Sequence, residues 1–144
     1  MSTVTTEERL AVLALVAEHA WRNDHGQADR LWELVTEDYT SDGPMGTMIG
    51  REALRAWGAK RVLNPSQVRH VVSNTRVFRG EDGELRATSY YVVFRDSSAQ
   101  PSTPASVGEW HDRFELVDGE WLLAERNIKP VFVNTDAPRP VIGS

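Results

Sequence analysis

The spacing of apolar residues changes period once along this chain, near Val68, and that change does most to fix the fold. Before it, apolar residues recur at helical spacing; after it, β-branched and aromatic residues gather into runs separated by Gly-containing turns. Helices followed by long meandering strands indicate an α+β fold, with the helices covering one face of a curved, mostly antiparallel sheet.

The boundaries can be read from local chemistry. Hydroxyls between Ser2 and Thr6, followed by Glu7-Glu8, cap a first helix that should run to about Asn23. A break at His25-Gly26 precedes a short second helix, Ala28 to Val35, with Leu31, Trp32, Leu34 and Val35 on its apolar face. A short strand comes after Glu37, then turn chemistry from Asp42 to Gly46. Gly50-Arg51 opens a third helix that buries Leu54 and Trp57 and ends before Asn64-Pro65. Strands are expected at Val68–Phe78, Leu85–Arg95, Val107–Val117 and Trp121–Val131, with tight turns at Glu81-Asp82-Gly83 and Asp118-Gly119. A long loop spans Asp96 to Ser106. The expected layout is one domain over residues 1–132 and a Pro-containing tail over 133–144.

Composition narrows the function classes. The 144 residues suffice for one core, and 40% hydrophobic with 26% charged residues is ordinary for a globular protein. A net charge of −5 without a basic run argues against nucleic acid or an anionic membrane as partner. With no Cys, thiolate chemistry and disulfides are excluded, and no stretch approaches a membrane span. A cytoplasmic location is the default expectation.

Within the first helix, Leu10, Leu13, Val16, Ala17 and Ala20 form an apolar arc, and Asp24 falls inside it. A carboxylate on a core-facing stripe must be paired, hydrogen-bonded or set in a wet cavity, and such groups are candidates for acid–base work. The alternative is that the helix frays near Asn23-Asp24-His25-Gly26 and Asp24 only caps the next segment.

The order of segments carries a resemblance. A helix ending in Asp is succeeded by GQADRLWELVTEDY, GREAL, VRHVVSN, GEWHDRFELVDGEW and AERNI. Over roughly Thr6 to Phe132 this resembles the SnoaL-like branch of the scytalone dehydratase and nuclear transport factor 2-like superfamily. The resemblance implies a cone-shaped α+β barrel, in which a strongly bent sheet wraps a pocket closed by helices. Such folds host dehydratases, isomerases, epoxide hydrolases, cyclases and non-catalytic domains, so fold does not settle function.

In dehydratase members an Asp ending the first helix faces a His near the start of a long strand, and Asp24 and His70 match those positions. By strand alternation His70 shares a face with Val72 and Asn74. A His titrates near neutrality, so with an opposing carboxylate it could remove a proton next to a carbonyl and protonate a leaving hydroxyl. The competing reading makes His70 and Asn74 polar residues at a strand end.

Further along, Trp110, Asp112, Phe114 and Leu116 share the face expected to point inward, and Arg126 is the natural partner of Asp112. A structural ion pair is the preferred reading there. His111 reads as outward and is left out of the site. His19 stands near a point where some dehydratase relatives carry a substrate-binding Tyr; it is a candidate for the pocket rim, with a solvated side chain preferred. Tyr39 is placed for a pocket hydroxyl, and strand parity favours Tyr90 with Val92 and Phe94 as pocket lining. The second catalytic His of scytalone dehydratase has no counterpart on the Leu85–Arg95 strand. No metal spacing, phosphate loop or nucleophile elbow appears, so no cofactor is expected.

Two functions remain open. One is a dehydratase-like lyase or isomerase acting on a small hydrophobic, cyclic or polyketide- or steroid-like molecule. The other is a non-catalytic ligand-binding or assembly domain. A homodimer through the outer sheet face is expected, with Tyr91 and Val93 turned outward.

Overall fold

A computed structural model describes residues 3–64, 66–96 and 102–138. Helix α1 (Thr6–Asp24) begins in a capping box: the Thr5 hydroxyl accepts from the Glu8 N–H, and the Glu8 carboxylate accepts from the Thr5 N–H. A short 3-10 helix (Ala28–Leu34) comes next, then β1 (Val35–Gly43) and β2 (Gly46–Ile49), joined by a tight hairpin. Helix α2 (Arg51–Arg61) precedes four long strands: β3 (Val68–Arg79), β4 (Leu85–Arg95), β5 (Ser106–Val117) and β6 (Glu120–Val133). The expected second helix is thus a 3-10 helix ending one residue earlier, and β1 begins sooner than the sequence suggests. Residues 97–101 of the expected long loop and 139–144 of the expected tail lie outside the described residues.

The strands form one six-stranded sheet in the order β2-β1-β6-β5-β4-β3. Every pairing is antiparallel except β1 with β6, which is parallel. The sheet is open: its two edge strands, β2 and β3, do not close it into a barrel. Helix α1 touches both β3 and β6, although β4 and β5 lie between them, so the sheet must bend around the helix. The core fills the concave side, from Val12 and Val16 of α1 to Leu85 of β4, Phe114 of β5 and Leu123 of β6. Among the described residues no helix is long and apolar enough to cross a membrane.

Two expected phases are corrected. In α1 the buried residues are Val12, Val16 and Ala20, whereas Leu10 and Leu13 face solvent. The run Leu10 to Ala17 is apolar on all sides, so its pattern alone cannot choose a face. In β4 the buried residues are Leu85, Ala87, Ser89, Tyr91 and Val93. Tyr91 and Val93 therefore point inward, not outward, and Tyr90 is half exposed on the convex side. The α1 correction leaves Asp24 on the interior stripe, four residues beyond Ala20.

Candidate active site

Asp24 is the last residue of α1, and His25 is the C-cap. Its carboxylate reaches across to β3 rather than capping its own surroundings. One oxygen accepts the His70 backbone N–H at 2.7 Å; the other lies 2.6 Å from His70 Nδ1. Both side chains are mostly buried. A carboxylate facing a ring nitrogen this closely accepts the hydrogen bond, so Nδ1 carries the proton and the lone pair of a neutral ring lies on Nε2. No hydrogen bond engages His70 Nε2 among the described residues. Arg69 braces the junction, donating to the Asp24 carbonyl at 3.2 Å and to the Val68 carbonyl at 2.7 Å.

A second cluster stands beside the first. Arg126 of β6 donates two parallel bonds of 2.8 Å to Asp112 of β5, where the register sets the two residues opposite each other. Both are almost fully buried. The guanidinium carbon also lies 3.8 Å from the centre of the Trp110 ring, a cation–π contact. Burial works against the Arg126 charge, but Asp112 outweighs it and holds the guanidinium above its ordinary value. The expected Asp112–Arg126 pair is therefore present, and it locks two strands.

His19 stands against the second cluster. Its Nδ1 lies 3.4 Å from Arg126 Nη1, and its Nε2 is enclosed with no partner among the described residues. Burial pushes its imidazolium well below the ordinary histidine value, and the positive charge of the neighbouring Arg126 pushes further. The preferred expectation of a solvated His19 is overturned: α1 is rotated from its expected phase, which turns this ring inward. The Trp110 ring bridges the groups, with its centre 5.8 Å from that of His70 and 5.7 Å from that of Tyr91.

The remaining sequence candidates divide. Tyr39 is buried among the core residues, and burial raises its phenol above the ordinary value, so it stays protonated. Trp110 and Phe114 point inward as expected, but Leu116 is exposed, one residue from the end of β5 and close to the hairpin turn. Asn74 leaves the His70 face. It sits at a bulge between Ser73 and Arg76 with φ 54°, and this single irregularity inverts the alternation that placed it inward. Asn74 and Tyr90 instead line a convex-side groove of about 570 Å³ with Arg76 and His111. His111 is outward as expected.

Sequence reasoning missed Tyr91 as the inward tyrosine and His19 as an enclosed ring. For Tyr91 a signal existed: Leu85 and Ala87 against Arg86 and Thr88 set the odd-numbered face inward before the ambiguous Tyr90–Phe94 stretch begins.

Comparison with known proteins places this geometry in context. A family model described as a SnoaL-like domain matches residues 4–127. The small oxygenase component of the p-cumate 2,3-dioxygenase system from Pseudomonas putida is 32% identical over 75 residues, covering 52% of this chain and 39% of that protein. The chain thus aligns with well under half the length of that relative. Among solved structures, ActVI-ORFA from Streptomyces coelicolor superposes with a TM-score of 0.74 at 23% identity, covering 87% of this chain and 98% of that one. A protein from Novosphingobium aromaticivorans, provisionally named a scytalone dehydratase, gives 0.75 at 17% identity, covering 96% and 95%.

Proposed function

The chain belongs to the SnoaL-like domain family, and on that premise we propose that it is a cofactor-independent lyase or isomerase built on the Asp24–His70 pair. The observation that carries the reading is the 2.6 Å contact between Asp24 and His70 Nδ1, which leaves Nε2 as the uncommitted ring nitrogen. His70 Nε2 removes a proton from carbon next to a carbonyl. Asp24 stabilises the imidazolium that forms, and the same nitrogen then returns the proton to a leaving hydroxyl or to another carbon. The substrate we propose is a small, cyclic, polyketide- or steroid-like molecule, and the Trp110 ring, centred 5.8 Å from that of His70, is an aromatic surface beside the pair.

The test uses α-tetralone, a neutral cyclic ketone, in deuterated buffer, with loss of its α-protons monitored by NMR. Asp24→Asn and His70→Gln should each slow exchange by about 100-fold or more. Wild-type rates in both variants would remove the catalytic reading.

A second reading is a non-catalytic ligand-binding or assembly domain. It is favoured by the partial identity to the oxygenase small component, and it predicts no proton exchange in any variant. A homodimer through the convex sheet face belongs to either reading; Val71 and Tyr90, both exposed there, replace Tyr91 and Val93 as its support. A monomer by light scattering at micromolar concentration would count against it.

A further inference from the structure

We infer that a groove of about 480 Å³, where β3 begins and β4 ends, is a carboxylate-binding site, with Arg95 and Arg69 as its cations and a small organic acid as its ligand. The site adjoins the Asp24–His70 pair but does not depend on the reading of that pair as a catalyst.

The argument begins at the last residue of β4. Arg95 stands opposite Val68 in the ladder and follows Tyr91 and Val93, both buried, so alternation turns it to the concave face. It is half-buried, and no hydrogen bond or ion pair engages its guanidinium among the described residues. Arg61, on the last turn of α2, is close enough for its charge to act on Arg95. It is buried, and it donates to the Asn64 and Ser66 carbonyls at 3.2 and 3.4 Å rather than to a carboxylate. Arg69 lines the groove from the edge strand β3 and donates only to the Asp24 and Val68 carbonyls. Three guanidinium groups thus gather at one end of the sheet, none of them in an ion pair among the described residues. Buried and half-buried cations in folded proteins are usually paired.

The opposing charges are already committed. Asp24 is taken by His70, and Asp96, which lines the groove, accepts the Gln67 N–H at 2.6 Å. Arg22, two residues before Asp24, is neutralised by Glu18 and Glu33. Arg61, Arg69 and Arg95 against Asp24 and Asp96 leave one positive charge uncompensated, in a chain whose net charge is −5. Lys60, beside Arg61, is exposed and adds to the same sign. Burial and the Arg61 charge lower the Arg95 guanidinium from its ordinary value, and Asp96 and Asp24 only partly offset them. An anion on Arg95 supplies the counter-charge it lacks.

The fork of a guanidinium matches a carboxylate with two parallel bonds, and Phe94 on the groove wall offers contact to the apolar body of an acid. The volume is within the usual range for small-molecule pockets. His70 pairs with Val93, which makes it the diagonal neighbour of Arg95 on the concave face, and such neighbours lie about 7–8 Å apart. The carboxylate therefore belongs either to the substrate of the pair, as a cyclic keto acid, or to a separate ligand beside it; the recognition chemistry is the same.

Titration of ¹⁵N-labelled protein with benzoate tests the site, with benzamide as the neutral analogue. Benzoate should shift the amide signals of Gln67, Val68, Arg69, Arg95 and Asp96, and benzamide should bind at least about tenfold more weakly. Arg95→Gln should weaken benzoate by about tenfold or more and Arg69→Gln by less, while Arg76→Gln on the convex face should change nothing. Since Arg95 has no partner to lose, the urea midpoint of Arg95→Gln should stay at or above that of the wild type; benzoate should raise the midpoint of the wild type and leave that of the variant unmoved. The source of the carboxylate is read from exchange kinetics. A ring-carboxylated α-tetralone with a lower KM than α-tetralone, raised by Arg95→Gln, assigns it to the substrate; equal KM values assign it to a separate ligand. No saturable benzoate shift, equal affinity for benzoate and benzamide, or an unchanged benzoate affinity in Arg95→Gln would overturn the site. Absence of exchange with either tetralone would fault the Asp24–His70 reading alone, and the benzoate titration would still decide this one.

Discussion

Replacing Asp112 by Asn changes almost no volume and removes one charge, so it isolates what the buried pair contributes. Arg126 is almost fully buried, and Asp112 supplies both of its bonds of 2.8 Å. An Asn can accept one of those bonds through its oxygen, but its amide N–H₂ would meet the second guanidinium N–H donor to donor. The Arg126 charge would then stay in the core without a counterion, and breaking a buried pair in this way costs about 3–5 kcal/mol. The Trp110 face offsets little of this, since a desolvated cation–π contact is worth about 2 kcal/mol and is already present. A surface control sharpens the comparison. Arg30 and Glu33 lie 2.6 Å apart, closer than the buried pair, yet both are exposed or partly so. Glu33→Gln should cost under about 1 kcal/mol because solvent screens the pair. Urea unfolding with a shared m-value measures both, and the double variant Asp112→Leu/Arg126→Met should recover much of the loss. If Asp112→Asn cost no more than Glu33→Gln, the claim that burial rather than distance sets the value of these pairs would fail.

The packing leads to two further outcomes. The His19 value is depressed in the folded state, so its contribution is complete above the unfolded value near 6.5 and lost as pH falls below it. Wild-type stability should therefore decline from pH 6.5 toward pH 5 with a slope of up to about 1.4 kcal/mol per pH unit that is missing in His19→Phe; parallel urea curves for the two proteins would contradict this. Gly58→Ala should destabilise by about 1–3 kcal/mol, since a Cβ on α2 would run into the Ala28 carbonyl of the 3-10 helix, which is backbone and cannot swing aside; an unchanged urea midpoint would show that the two elements can separate freely.

The sequence disclosed the elements better than their phases. The change of period near Val68, the Asp118-Gly119 turn and the Gly50-Arg51 helix start are local signals, and the structure keeps all three. Faces were lost wherever both sides of an element are apolar. Leu10 to Ala17 is one such stretch and Tyr90 to Phe94 another, and in each the tertiary partner chose the buried side. Asn74 fell to a bulge, which no periodicity reports. The Asp24–His70 juxtaposition came from the family resemblance, because two residues 46 positions apart carry no local sign of their meeting. His19 was undervalued for a related reason: its environment is made by Arg126 on the last strand, 107 residues away.

A double-mutant cycle on α-tetralone exchange tests the central claim most directly. If Asp24 and His70 act as one unit, then Asp24→Asn, His70→Gln and the double variant should all lose about the same factor, roughly 100-fold or more, because removing either partner disables the other. Losses that multiply in the double variant, or an Asp24→Asn protein that exchanges at the wild-type rate, would contradict it.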